Sequence, residues 1–147
     1  MKPGLLLTLA VLVSGSPAES RTHHSALKWM DGPPGLPGGS RFAVVSGDPT
    51  KAGMFTIQAR LPADYAVPPH WHPGNEKVKV LSGKLHYGMT VKMDMARAKT
   101  LNARHFVTMK AKMNHWVHAP VATTIQVSGM GPFAITYVDP KDDPRKK

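Results

Sequence analysis

The chain has 147 residues, no cysteine, and 19 Lys plus Arg against 9 Asp plus Glu, a formal charge of +10 at pH 7. That length builds one domain around one core, and the lack of thiols excludes disulfides and thiolate ligands, so any metal site must use His, carboxylate or Met. The basic residues are spread out, with no recognition-helix pattern and no glycine-aromatic signature of RNA-binding sheets, which argues for a solvated basic surface and against nucleic acid.

Lys2, the apolar run from Leu5 to Val13 and the small residues Ser14-Gly15-Ser16-Pro17-Ala18 predict a secretory signal over residues 1–18, cleaved after Ala18. The run is far short of the roughly 20 residues a membrane span needs. The expected product is therefore exported, secreted or periplasmic, without a membrane anchor. Residues 19–40 form an N-terminal arm. Its lead carries His23 and His24, and its second half, Asp31-Gly32-Pro33-Pro34-Gly35-Leu36-Pro37-Gly38-Gly39, is too rich in Pro and Gly for a helix or an inner strand. A copper site built on an N-terminal His would need cleavage after Thr22, a poor processing residue.

From Arg41 the pattern is short apolar or alternating runs between turn residues. Strands are expected at Phe42 to Ser46, Met54 to Leu61, Ala66 to Trp71, Glu76 to Leu81 and Lys84 to Val91. Further strands are expected at His105 to Met109, His115 to Ala119, Thr123 to Val127 and Phe133 to Val138. Such spacing predicts an all-β sandwich or barrel over residues 41–140. One helical turn is expected within Asp94 to Leu101, on the propensity of Met95-Ala96-Arg97-Ala98. Residues 141–147 are read as a charged, solvated tail.

His70-Trp71-His72 carries the chemistry. On a strand the side-chain period is two, so both imidazoles point to one side and Trp71 to the other. By itself a His-x-His pair is weak, because 8 His in this length yield on the order of 0.4 such pairs by chance. With Glu76 and the later His115 it reads as three imidazoles and a carboxylate converging on one cation. That donor set suits a first-row transition ion, and on an octahedral ion it leaves two positions for water or substrate. Glu76 has three roles open to it: ligand, base toward substrate, or hydrogen-bond partner of a ligand water. The numerous methionines suit Cu(I) as soft donors, but Met more often fills irregular core space. His86, His105 and His118 are candidates for supporting hydrogen bonds, although three residues of spacing turn His118 away from His115.

These residues resemble those of a cupin, the small jelly-roll β-barrel family whose first motif reads Gly-x5-His-x-His-x3-Glu-x6-Gly. His70, His72, Glu76 and Gly83 fall in register, and Asp64 stands at the leading Gly. The second motif, Gly-x5-Pro-x-Gly-x2-His-x3-Asn, keeps His115 but has Arg104, Lys110, Lys112 and Ala119 at its other positions. Flanking segments such as Ser46-Gly47-Asp48-Pro49, Val80-Leu81-Ser82-Gly83 and Gly131-Pro132-Phe133 are similar to those of small single-domain bacterial cupins. The resemblance runs from Trp29 to the C-terminus. It implies a cupin jelly-roll barrel with a Pro/Gly-rich arm, a metal held by His70, His72, Glu76 and His115, and pairing into a homodimer.

The function expected is that of an exported mononuclear-metal oxidoreductase, using dioxygen or peroxide on a carbohydrate or small organic substrate. Copper-dependent oxidative cleavage of polysaccharide falls within that class. Copper and iron are the first metals to test, then manganese, nickel and zinc. Glu76 is the catalytic residue expected, and Trp71, Tyr87, Lys110 and Lys112 are the expected substrate contacts. The aromatics would stack on a sugar ring. The two lysines would attract an anion or repel a second cation, unless they simply face solvent on a rebuilt loop. The rival readings are a non-redox isomerase or lyase acting on a small anionic acid or sugar, and a module that binds metal or ligand without chemistry.

Overall fold

The computed structural model describes residues 26–147, so the expected leader over residues 1–18 and the arm residues His23 and His24 lie outside the described residues. The strands are β1 (Met30–Asp31), β2 (Arg41–Ser46), β3 (Gly53–Leu61), β4 (Tyr65–Trp71), β5 (Glu76–Ser82) and β6 (Lys84–Gly88). They continue with β7 (Lys99–Asn102), β8 (Phe106–Met109), β9 (His115–Ala119), β10 (Thr123–Gly131) and β11 (Thr136–Tyr137). Two antiparallel sheets result, in the orders β1-β2-β3-β10-β5-β8 and β11-β4-β9-β6-β7. This is the two-sheet jelly roll predicted.

Alternation explains which face each strand buries. Along β5, Glu76, Val78 and Val80 are buried while Lys77 and Lys79 are exposed. The inward row joins Phe55, Leu61, Val67, Leu85 and Val127 from facing strands into one core. Each fully buried side chain of this size contributes roughly 1.5–3 kcal/mol. Among the described residues no helix is long and apolar enough to cross a membrane.

Four local expectations are corrected. The helical turn shrinks to a 3-10 turn over Met95–Arg97, capped by the Asp94 carboxylate accepting from the Ala96 N–H at 3.0 Å. The following residues become β7, because pairing with β6 and burial of Leu101 outweigh intrinsic propensity. Strand β6 stops at Gly88, where the chain runs against the buried Trp116 ring so closely that a Cβ would lie 2.6 Å from it. The expected last strand shortens to Thr136–Tyr137, paired with β4 and continued by the Val138 N–H donating to Pro69 O at 2.9 Å, while Phe133 lies outside the sheet, stacked on His72.

The tail is not a loose end. Asp143 is buried and grips Arg145 through two bonds of 2.8 Å, from Nε to Oδ1 and from Nη2 to Oδ2. Arg145 in turn donates to the Ile135 carbonyl at 3.1 Å. The arm is ordered as well. The Gly32 N–H donates to Ser40 O at 2.9 Å, and the Arg60 guanidinium lies 3.8 Å above the Trp29 ring.

Candidate metal centre

Strand β4 delivers His70 and His72, and β9 begins at His115, whose backbone pairs directly with His70. Ring centroids are 4.9 Å apart for His70 and His72, 4.3 Å for His70 and His115, and 5.3 Å for His72 and His115. One nitrogen from each lies within 4.8 Å of the others. All three rings are buried, with 4%, 4% and 1% of their residues' surfaces exposed.

Each ring is held from behind by a backbone carbonyl. Nδ1 of His70 lies 2.7 Å from Pro68 O, Nδ1 of His72 lies 2.7 Å from Ala134 O, and Nδ1 of His115 lies 2.9 Å from Met113 O. A carbonyl only accepts, so each Nδ1 carries the proton and each Nε2 of a neutral ring is left as a bare lone pair. Glu76 then brings Oε2 to 3.4 Å from Nε2 of His72 and 3.2 Å from Nε2 of His115. The buried His115 nitrogen has no hydrogen-bond partner. Lone pairs pointed at a carboxylate in a dry interior repel unless a cation lies between them. The donor set therefore fits a metal ion, with carbonyl-anchored imidazoles in the arrangement that orients such ligands.

Protonation favours the same state. Burial first, then the nearby His115 and His72, hold the His70 imidazole down at about 3. Burial likewise lowers His72, partly offset by Glu76. For Glu76, burial acts to raise the carboxyl, but a proton on His115, His72 or His70, where a ring carries one, attracts the carboxylate and draws it below the usual range. Near neutral pH the site therefore offers His70 and His72 as neutral imidazoles and Glu76 as a carboxylate.

The frame of the degraded second motif survives. Among the described residues, three non-glycines have positive φ: Asp64 at 62°, Arg104 at 73° and Lys112 at 60°. They stand at the three motif positions where glycine is missing, while Gly83, the glycine that remains, has φ of 80°. The left-handed turns are thus kept despite a cost of roughly 1–2 kcal/mol each for an L side chain. Backbone ties hold the last turn: the Lys112 N–H donates to His72 O at 2.8 Å, and the Ala111 N–H donates to the Asn75 carboxamide oxygen at 2.9 Å. His115 is thereby presented to the other two rings.

The Nε2 atoms face an internal cavity of about 70 Å³. Beside His70, His72, Glu76 and His115, its wall is aliphatic or aromatic, including Leu36, Ile57, Tyr65, Val127 and Phe133. Trp71, Tyr87, Lys110 and Lys112 are not on this wall. Trp71 sits between the histidines on β4, Tyr87 packs against the core from β6, and both lysines are exposed on the turn before His115. No methionine lines the cavity among the described residues. His86 and His118 pair across β6 and β9 away from the cavity, with Nε2 of His118 3.8 Å from Asp64 Oδ1, and His105 is exposed. Sequence reasoning missed Leu36 and Phe133. Leu36 is the one residue between Gly32 and Gly39 that is neither Gly nor Pro, and that was the available signal.

Residues 17–125 match the family described as ChrR Cupin-like domain. The chain is a cupin of that family. A solved structure similar to this cupin comes from Methylibium petroleiphilum and is named as a candidate acetylacetone dioxygenase. The two are 23% identical, with a TM-score of 0.64 over 90% of each chain. The polyketide cyclase RemF from Streptomyces resistomycificus is 15% identical, with a TM-score of 0.66 over 86% of this cupin and 89% of that chain. An acetylacetone dioxygenase from Acinetobacter johnsonii is 16% identical, with a TM-score of 0.61 over 97% and 87%. At such identities the likeness carries the fold. No curated protein matches the sequence.

Proposed function

We propose that this cupin is a mononuclear-metal oxidoreductase that uses dioxygen on a small, largely apolar organic molecule. The observation that carries this reading is the convergence of three bare Nε2 lone pairs, with Glu76 beside two of them, on a small cavity walled largely by buried apolar side chains. His70, His72 and His115 would hold the ion, with Glu76 as a fourth donor. When bound there, a redox-active first-row ion supplies the electron transfer that no side chain provides. The anchored rings fix its position, the aliphatic wall excludes water, and the ionised Glu76 Oε2 is placed to take a proton from a bound substrate.

Cavity size and lining favour a small organic substrate over a carbohydrate. At about 70 Å³ the cavity has less than half the roughly 150 Å³ that holds a benzene, so a molecule the size of acetylacetone enters only if its side-chain wall gives way. A sugar ring would also need several hydrogen-bond partners, which an aliphatic wall withholds. Two of the similar structures are named as acetylacetone dioxygenases, which supports a compact molecule with a metal-chelating end. Iron is the first metal to test, copper the second.

The test is oxygen consumption by the Fe(II)-loaded protein with acetylacetone as the first probe, alongside metal content of His70→Ala and His115→Ala. Oxygen uptake that disappears with either histidine is the expected outcome. Turnover by the Zn(II) form without oxygen would overturn the redox reading in favour of isomerase or lyase chemistry, in which Glu76 acts as the base. Export remains part of the proposal on the strength of Lys2, the Leu5 to Val13 run and Ala18. The N-terminal sequence of protein recovered from outside the cytoplasm tests it.

A further inference from the structure

Every wall residue of the cavity is buried or half-buried, so a molecule from solvent reaches the histidines past side chains, and the arm supplies one of them. The geometry points to Leu36 and Phe133 as the gate that admits small molecules to the histidines and sets how long a molecule the cavity accepts. This assignment rests on the cavity being the substrate chamber.

An open crevice runs between the arm and the segment from Phe133 to Ile135, with Arg145 on its floor. It shares two wall residues with the internal cavity, Leu36 and Phe133. Those two side chains are therefore the septum between solvent and the Nε2 atoms. Two other crevices, over the outer face of the β4-β9-β6 sheet around Val91 and Lys92, share no wall residue with the cavity. The route through Leu36 and Phe133 crosses side chains alone, whereas a route between neighbouring strands of either sheet would break ladder hydrogen bonds.

The two halves of the gate are held differently. Phe133 is fixed on the inside, stacked on His72 with centroids 4.4 Å apart and the planes 21° from parallel, and 5.1 Å from Phe55. Leu36 belongs to the arm and is half-buried. It is pinned by its neighbours' carbonyls: Tyr137 OH donates to Gly35 O at 2.8 Å, and Tyr65 OH donates to Pro37 O at 2.6 Å. Both tyrosines are buried. Gly35 is needed at its place, since a Cβ there would lie 2.9 Å from Ile135. Leu36 is thus a plug carried by a strap with a pin on either side. Lifting it requires breaking two hydrogen bonds and leaves the barrel strands in place. A shorter side chain at residue 36 would lengthen the chamber toward the crevice.

The test reads access without any catalysis. Diethylpyrocarbonate modifies a bare imidazole nitrogen, so its rate at His70, His72 and His115, followed by mass spectrometry on the protein without added metal, reports how often the chamber opens. Leu36→Ala should raise that rate by about tenfold, the change expected when half of a buried leucine's contribution leaves a closed-to-open equilibrium. Tyr137→Phe, which keeps the ring and removes one pin, should raise it in the same direction. Labelling of the exposed His105 should be unchanged in both, and Val91→Ala should match the wild type throughout. Should Leu36→Ala unfold, Tyr137→Phe decides alone. Unchanged labelling in a folded variant, or equal acceleration by Val91→Ala, overturns the gate. Acceleration by the gate variants in a protein that shows no oxygen uptake would instead sustain the gate and remove the oxidoreductase reading.

Discussion

Replacing Glu76 by Gln should move stability in opposite directions with and without metal. In the metal-free protein Oε2 sits 3.4 and 3.2 Å from two nitrogens that have lone pairs and no proton to offer. An amide of the same shape presents N–H groups there instead, and one net hydrogen bond adds roughly 0.5–1.5 kcal/mol. The chelated variant should therefore melt about 3–5 °C above the chelated wild type. With metal the sign reverses. Loss of the carboxylate beside the ion should weaken affinity by about 10–100-fold, which at equal free metal removes about 1.4–2.7 kcal/mol of binding-linked stability. Calorimetric melts in chelator and in excess Zn(II), with direct titration of metal affinity, measure both halves. If Glu76→Gln melts lower in both conditions by the same amount, Glu76 is holding the fold through an ordinary contact, and the case for a cation between it and the imidazoles fails.

Two further outcomes follow from the same geometry. Metal-free protein should lose stability as pH falls below about 6.5, because unfolded His70 then takes up a proton that the folded ring, held at about 3, refuses. The loss should approach about 1.4 kcal/mol per pH unit by pH 5 from this residue alone, visible in urea titrations, and a flat profile between pH 6.5 and 4 would contradict the burial argument. At the turn before His115, Lys112→Gly should be neutral or up to about 1 kcal/mol stabilising, since relief at φ of 60° is offset by unfolded-chain entropy. Lys112→Pro forbids that φ and deletes the N–H bond to His72 O, so it should cost about 2–3 kcal/mol and lower metal content, as melts and metal analysis will show.

Strand positions were legible wherever alternation was strong, as in Glu76 to Val80, where every second side chain is buried. The sequence misled where a tertiary demand overrode a local one. Lys99 to Asn102 follows a good helix former yet pairs as a strand, and Phe133 lies outside its expected strand, stacked on His72. The histidine cluster was readable because period two aims His70 and His72 together. His115 was readable as the ligand position that the second motif keeps, whereas the turn that presents it was not, because the Ala111 and Lys112 N–H groups that hold it leave no mark in the residue types. The cavity's small size and aliphatic wall were likewise hidden, because the residues that build it come from strands far apart in the chain. The arm's role was concealed because Leu36 contacts residues about a hundred positions away.

Asp64, Arg104 and Lys112 show that a signature glycine records a demand on backbone torsion, which other residues can meet at an energetic penalty. A search that scores letter identity at those positions would rank this barrel as a degenerate relative and discount its centre. A search that scores torsion together with the placement of ring nitrogens would find it intact, and proteins dismissed for lacking the second signature merit rescreening on that basis.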